Sequence, residues 1–270
     1  MISATEFIDF YTELGAKKAS SPFRKLFPLG MLAGFLNGMA GIVYGIASYS
    51  QESVSAARLA GGLLFPFGLI MVIYSGAELF TGNNLITISV LNGKTTVSKM
   101  LRSWLFVYLG NFAGSIILAA GYVYAGIFFE FGNNDLALAI MDTAAYKTAL
   151  PFTKAIVLGI FCNILVCIAV MGALMNKDGI SRAAAAYFPV AFFVIAGFEQ
   201  SVANMYYISA GLFLRVQPFY KELAISAGMD ISTLTTRGFL LNNMLPVTLG
   251  NIMGGVLFSC LIFFCHRKRD

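Results

Sequence analysis

The chain has 270 residues, of which 58% are hydrophobic and only 11% are charged, and its formal net charge at pH 7 is +5. A soluble domain needs far more charge to cover its surface, so the composition argues against a soluble globular protein and predicts a bundle of membrane-spanning helices. The small positive charge is weak evidence for nucleic acid, and no nucleic-acid partner is expected.

The N-terminal segment, residues 1–28, is predicted to form a cytoplasmic amphipathic helix rather than a cleavable signal peptide. It opens with Ser3 and Glu6 at the spacing of a capping box. Four apolar side chains then share one helical face: Phe7, Phe10, Tyr11 and Leu14. The pattern fits a helix lying on the membrane surface. A gating helix that covers a pore mouth fits it as well.

Six apolar runs follow, each long enough for a bilayer crossing of about 20 residues. They cover residues 29–49, 60–90, 101–129, 151–175, 183–214 and 239–264. We therefore expect a six-span channel domain over residues 29–266 and a cytoplasmic tail over residues 267–270. The longer connections, 130–150 and 215–237, are expected to include short surface helices.

Basic residues predict the orientation of the spans. Twelve of the 18 Lys and Arg residues would lie on one side: Lys17, Lys18, Arg24, Lys25, Lys94, Lys99, Arg102, Lys177, Arg182, Arg267, Lys268 and Arg269. The positive-inside rule places that side, and with it both termini, in the cytoplasm.

The second and fifth runs are longer than a bilayer requires, and each is interrupted by polar residues. Residues 76–83 and 197–204 both read Gly-x-Glu-x-x-x-small-Asn. A second repeated motif, Leu-Gly-Asn-x-x-Gly, occurs at 109–114 and 249–254. Two motifs repeated in the same order, with three spans in each half, predict two inverted three-helix repeats with broken second and fifth helices.

Broken backbone at membrane depth is tolerated only inside protein or beside a water-filled cavity, so the two interruptions should meet near the midplane and mark a permeation path. The N-termini of the new half-helices favour an anion. Glu78 and Glu199 are candidate proton carriers. Because an ionised glutamate facing the pore would repel an anion, we favour a structural role for the group Gly76, Glu78, Asn83, Glu199 and Asn204. The alternative is that these Gly and Asn residues only allow helices to pack closely.

The chain resembles the formate/nitrite transporter family, which also includes hydrosulfide channels, from residue 18 to the sixth span. The resemblance rests on Gly-Ala-Glu-Leu-Phe-Thr-Gly-Asn (76–83), Phe-Cys-Asn-Ile-Leu-Val (161–166) and Phe-Glu-Gln-Ser-Val-Ala-Asn-Met (198–205), with support from Lys147 and the Pro-Phe pair at 151–152. It implies an aquaporin-like subunit fold, a homopentamer with one pore in each subunit, and a prokaryotic inner-membrane location.

The resemblance also implies the pore residues. Leu69, Leu79 and Phe193 resemble a cytoplasmic apolar constriction. Phe65, Phe80 and Val166 resemble an outer one. Between them, Thr81 resembles a chamber hydroxyl, while Asn163 and Lys147 resemble polar residues near the outer side of the path. Lys147 could equally be an interfacial lysine that snorkels to the membrane surface.

One chamber position departs from the family. Gln200 stands where the family usually has a histidine, which interacts with or protonates the anion. An amide can donate hydrogen bonds to a carboxylate but cannot hold a mobile proton, so a central proton relay through a histidine is not expected here.

The predicted function is a channel for small monovalent anions, with formate as the favoured substrate and nitrite or hydrosulfide as alternatives. A strictly proton-coupled symporter fits the inverted repeat too. A membrane enzyme is not expected, because no convergent set of His, Asp, Glu or Cys side chains occurs at one depth. The four cysteines lack metal-ligand spacing with the single histidine, so neither a metal nor a cofactor is predicted. The Asn-Pro-Ala pair of aquaporins is absent, which argues against a water pore.

Overall fold

The computed structural model describes residues 1–267, and within this range the chain forms helices and loops without a β-strand. The α-helices are α1 (Ala4–Ser20), α2 (Phe23–Ser48), α3 (Val54–Leu64), α4 (Phe67–Ser75), α5 (Thr87–Leu91), α6 (Val97–Ala125), α7 (Asp135–Thr148), α8 (Phe152–Met175), α9 (Gly179–Ala196), α10 (Ser201–Arg215), α11 (Pro218–Ser226) and α12 (Leu245–His266). Two 3₁₀ segments, Gly82–Ile86 and Ile127–Glu130, and a π-helical turn, Gly238–Met244, complete the helical structure.

Six helical segments of the described residues are long and apolar enough to cross a membrane, as the hydropathy predicted. They are Phe23–Ser48, Val54–Ser75, Val97–Ala125, Phe152–Met175, Gly179–Ala196 and Gly238–His266. The first begins at Phe23, so the predicted boundary between residues 28 and 29 falls inside a helix. Hydropathy misses this start because Arg24 and Lys25 lie in the first turn. Of the predicted tail, only Arg267 is described, and residues 268–270 lie outside the described range.

The second and fifth spans are broken where the sequence predicted. The chain continues from Val54 to Ser75, leaves the helix at Gly76, and resumes as the 3₁₀ turn Gly82–Ile86 and α5. The fifth span is interrupted at Gly197–Gln200, between α9 and α10. Each predicted long run therefore consists of a spanning helix, a non-helical turn and a second helical piece.

The two halves of the chain use the same close helix contacts. A Cβ atom added at Gly114 of α6 would collide with the carbonyl oxygen of Met31 in α2. A Cβ atom at Gly254 of α12 would collide with the carbonyl oxygen of Ile160 in α8. Such small residues let helix backbones approach closely. The chain is thus an all-α membrane protein with two inverted three-helix repeats.

Helix α6 runs the length of the bundle and defines its two ends. It begins beside α1, where Ser103 donates a hydrogen bond to the carbonyl oxygen of Lys18 (3.4 Å), and it ends shortly before α7. We call these ends the α1 end and the α7 end. Helices α7 and α11 lie in the two connections where short helices were predicted.

Helix α1 packs onto the bundle. Its predicted capping box is confirmed, because Ser3 N donates to Glu6 Oε2 at 2.7 Å and Glu6 N donates to Ser3 Oγ at 3.2 Å. Phe7 and Tyr11, two of the four side chains predicted to share one face, are buried against side chains of α5, α8 and α12. Phe10 is instead 45% exposed, and Ile8 occupies the buried face, because α1 covers protein.

Candidate functional site

The first helix break is held by one buried asparagine. Gly76 ends α4 with a positive φ of 66°, a left-handed conformation that glycine adopts without strain. Asn111 of α6 donates from Nδ2 to the carbonyl oxygen of Glu78 (2.9 Å) and accepts on Oδ1 from the backbone N–H of Phe80 (2.9 Å). The N–H of Glu78 donates to the carbonyl oxygen of Leu29 (3.2 Å). These bonds satisfy backbone groups that lipid could not.

The second break repeats this arrangement with the matching residues of the second half. Gly197 ends α9 with a φ of 74°. Asn251 of α12 donates from Nδ2 to the carbonyl oxygen of Glu199 (2.9 Å) and accepts on Oδ1 from the N–H of Ser201 (2.9 Å). The N–H of Glu199 donates to the carbonyl oxygen of Leu158 (3.4 Å). The two breaks are therefore held by the same arrangement of hydrogen bonds.

Glu78, in the first break, is part of a partly buried ion pair at the α1 end. Lys18 Nζ lies 2.7 Å from Glu78 Oε2 and 3.0 Å from Asn83 Oδ1, and Asn83 Nδ2 donates to Glu78 Oε2 at 2.8 Å. The carboxylate thus accepts hydrogen bonds from both a lysine and an asparagine. The sequence interpretation missed Lys18, which it counted only as one of the basic residues that set the orientation.

Glu199, in the second break, has the corresponding partners at the α7 end. Lys147 Nζ lies 2.8 Å from Glu199 Oε1, and Asn204 Nδ2 donates to Glu199 Oε2 at 2.6 Å. The side chains of Glu199 and Lys147 are 3% and 13% exposed. Lys147 is thus held by a buried carboxylate inside the protein.

The breaks meet through polar side chains at the centre of the bundle. Gln200 Nε2 donates to Thr81 Oγ1 at 3.3 Å, which joins the second break to the first. Asn37 of α2 donates from Nδ2 to Gln200 Oε1 at 3.4 Å. All three side chains are buried. The sequence interpretation missed Asn37, although a single amide in an otherwise apolar first span was the available signal.

The three groups form a directional chain. Because the side-chain oxygen of Gln200 accepts the hydrogen bond from Asn37, the amide nitrogen of Gln200 points toward Thr81. The Thr81 oxygen accepts that bond, which leaves its O–H free to donate. The centre therefore offers neutral N–H and O–H donors, which suit an anion with two acceptor oxygens.

The predicted constriction residues are all buried, but their grouping differs from the expectation. The rings of Phe65 and Phe193 contact each other edge to face, with centroids 6.3 Å apart. The resemblance had placed these two residues in different constrictions. They meet because Phe65 lies where α3 ends and Phe193 lies one turn before the break at Gly197. The other four, Leu69, Leu79, Phe80 and Val166, are buried elsewhere in the same core.

Asn163 is fully buried and cross-links helices. Its Nδ2 donates to Asn84 Oδ1 and to the carbonyl oxygen of Asn251, each at 2.7 Å, while its Oδ1 has no partner among the described residues. It does not line the large cavity described next.

A cavity of about 430 Å³ opens beside the second break, at the α7 end. Gln200, Lys147 and Glu199 line it, together with the Phe65–Phe193 pair. Of the predicted chamber residues, the structure thus brings Gln200 and Lys147 to one cavity and joins Thr81 to it through the Gln200 amide. No cluster of His, Cys, Asp or Glu side chains in residues 1–267 could hold a metal ion.

The chain is similar to known transport proteins along nearly its whole length. Residues 5–265 match the family model described as formate/nitrite transporter. The formate channel FocA of Escherichia coli strain K12 is 34% identical over 262 residues, which cover 96% of this chain and 92% of FocA. A probable formate transporter of Methanothermobacter thermautotrophicus is 31% identical over 269 residues, covering 93% of this chain and 92% of that protein.

Two solved structures have a similar fold. One is a pentameric formate channel with formate bound, with a TM-score of 0.79 and 33% identity, covering 90% of this chain and 96% of that one. The other is an ion channel of the same family, with a TM-score of 0.82 and 26% identity, covering 98% of this chain and 100% of that one.

Proposed function

The chain belongs to the formate/nitrite transporter family, and from this premise we propose that it conducts small monovalent anions, with formate as the principal substrate. It is a multi-pass membrane transport protein, since the family and the similar structures are channels and transporters. Formate is favoured because relatives at 31–34% identity are named for it. Nitrite and hydrosulfide, which are also small monovalent anions, are the alternatives.

The proposal rests on the hydrogen bond between Gln200 and Thr81, one residue from each helix break, and on the bond that Asn37 donates to Gln200. A carboxylate that reaches this point can accept an N–H from Gln200 and the O–H of Thr81. Both donors are neutral, so the anion is bound without a fixed opposite charge that would retain it. Weak, multiple contacts of this kind are what conduction requires.

The apolar residues supply the selectivity. Phe65 and Phe193 form the constriction between the large cavity and the centre. Leu69, Leu79, Phe80 and Val166 are assigned to the path on the other side. Apolar narrowings exclude ions that keep their hydration shell, and they admit a small anion that gives up water at low cost. Asn163 is assigned to the wall of the path.

The two ion pairs hold the breaks in shape. Glu78 and Glu199 are neutralised by Lys18 and Lys147, so neither carboxylate presents an uncompensated negative charge to an anion. Lys147 and Glu199 both line the cavity as a pair, so together they add no net charge beside the path. Gly76, Asn83 and Asn204 complete this structural set.

We place the protein in a prokaryotic inner membrane by analogy with its bacterial relatives, and both termini in the cytoplasm on the distribution of basic residues. The α1 end is then cytoplasmic and the α7 end faces outward. Residues 1–28, 29–266 and 267–270 are assigned as N-terminal segment, channel domain and tail. A homopentamer with one pore per subunit is proposed by analogy with the similar pentameric formate channel.

Uptake of labelled formate into proteoliposomes tests the proposal, with nitrite and hydrosulfide as competitors. We expect uptake well above that of protein-free vesicles, and Thr81→Ala should reduce it about tenfold, because a hydrogen bond to a charged group contributes about 1.5–3 kcal/mol. Thr87→Ala is the matched control, since Thr87 is a buried threonine whose hydroxyl contacts Met100 (3.7 Å) rather than Gln200. Equal effects of the two substitutions would remove Thr81 from the path. A preference for nitrite or hydrosulfide would reassign the substrate.

A further inference from the structure

The cavity at the α7 end contains a guanidinium that the conduction path does not use. Four charged side chains line the cavity: Arg58, Asp142, Lys147 and Glu199. Lys147 and Glu199 neutralise each other at 2.8 Å. Arg58 has neither an ion pair nor a hydrogen bond with any residue that the structure describes, and the exposed Asp142 forms no ion pair there either.

Arg58 is held against the second break. A Cβ atom added at Gly197 would lie 3.1 Å from Arg58 Cζ, so the guanidinium packs directly on this glycine. Arg58 comes from the second turn of α3 and is only partly exposed. The guanidinium is therefore placed at the cavity wall with its donors unused, and it can take a carboxylate by two parallel hydrogen bonds.

The rest of the cavity wall is largely aromatic. Six rings line it: Tyr44, Phe65, Tyr146, Phe193, Phe198 and Tyr207. Its volume of about 430 Å³ falls in the range of roughly 300–1,000 Å³ that is typical of pockets for drug-sized ligands. An anion of three heavy atoms such as formate would leave most of this space empty.

We propose that this cavity is a second anion site, centred on Arg58, which binds monocarboxylates with an aromatic or apolar tail. The carboxylate pairs with the guanidinium, and the tail lies among the rings in front of Phe65 and Phe193. A bound molecule closes the mouth of the path but is too wide to pass the pair, so it blocks conduction from the α7 side. The blocking step rests on the proposed conduction of formate, whereas binding does not depend on it.

Equilibrium dialysis of labelled benzoate against the full chain in lipid nanodiscs tests the binding. Labelled benzamide, which has the same shape without the charge, measures partition into lipid. We expect saturable benzoate binding above the benzamide level and at least a tenfold loss of affinity in Arg58→Gln. Arg58→Lys should recover only part of the affinity, because lysine keeps the charge but lacks the planar guanidinium that forms two parallel hydrogen bonds with a carboxylate.

Lys154→Gln is the matched control. Lys154 is exposed in the first turn of α8, at the α7 end but outside the cavity, so this variant removes the same charge without touching the site. Benzoate bound no better than benzamide, or bound equally by the parent and Arg58→Gln, would overturn the proposal. An equal loss in Lys154→Gln would also overturn it, because it would indicate a general surface-charge effect.

Formate uptake with benzoate on one side of the vesicle then tests the block. Inhibition from the α7 side alone, absent in Arg58→Gln, is expected. Saturable, Arg58-dependent benzoate binding in a protein that conducts no formate would refute the proposed function and leave the binding site standing. Formate conduction without benzoate binding would refute the site alone.

Discussion

Removing one partner of the Lys147–Glu199 ion pair should destabilise the protein more than removing one partner of the exposed Lys94–Glu13 pair, because it leaves a buried charge unpaired at the second break. Replacing Lys147 by Met keeps most of the side-chain volume but leaves a carboxylate that is 3% exposed, with only the hydrogen bond from Asn204 (2.6 Å). Removing one partner of a buried pair typically costs about 3–5 kcal/mol. The Lys94–Glu13 pair has nearly the same N–O distance, 2.7 Å against 2.8 Å, but its side chains are 54% and 67% exposed. Such a pair contributes about 0–1 kcal/mol.

A double-mutant cycle separates the pair from the individual side chains. Lys147→Met, Glu199→Gln and the double variant are compared with Lys94→Met by thermal unfolding in the same detergent. We expect Lys147→Met to lower the melting temperature by about 6 °C or more, at roughly 2 °C per kcal/mol. Lys94→Met should lower it by about 2 °C at most.

The double variant is the critical member of the cycle. It carries no unpaired charge, and the amide oxygen introduced by Glu199→Gln would still accept the hydrogen bond from Asn204, so it should recover much of the stability lost in Lys147→Met. A coupling energy of about 2 kcal/mol or more is expected. Additive effects of the two single substitutions would instead mean that Lys147 and Glu199 contribute to stability independently.

Three further predictions concern the breaks and the centre. Asn111→Leu and Asn251→Leu should each destabilise the protein by about 3 kcal/mol or more, because each substitution removes three buried hydrogen bonds. Thermal or denaturant unfolding measures this loss. Very unequal losses would mean that the two breaks are not held in the same way. Gln200→His should give formate uptake a pH dependence set by the new imidazole, and a profile identical to the parent would place position 200 away from the anion. Asn37→Leu should raise the KM for formate uptake more than it lowers the maximal rate, because the Gln200 amide is freed to turn, and an unchanged KM would remove Asn37 from the site.

Much of the architecture follows from local sequence signals. The six spans follow from hydropathy, because each apolar run must satisfy its own backbone in lipid. The breaks follow from Gly76 and Gly197, each with a glutamate two residues later, inside runs that a bilayer should keep apolar. The repeat follows because the same residue pattern occurs in both halves.

The contacts between distant segments could not be predicted in the same way. Lys18 reaches Glu78 only because α1 folds back over the end of the bundle, and nothing in either local pattern indicates this. The pairing of Phe65 with Phe193 depends on the direction in which each side chain leaves its helix beside a break, which periodicity does not define. Asn37 is a single polar residue, and its partner Gln200 is 163 positions away.

In the proposed mechanism the anion crosses between neutral donors, without a proton held at the centre. The most direct test records formate flux into proteoliposomes at several external pH values, with a pH-sensitive dye inside the vesicles. Flux that follows the concentration of the formate anion, changes little with pH and leaves the internal pH unaltered by co-transported protons is the predicted result. Flux that follows formic acid, or that carries one proton with each formate, would mean that protonation accompanies transport and would overturn this mechanism.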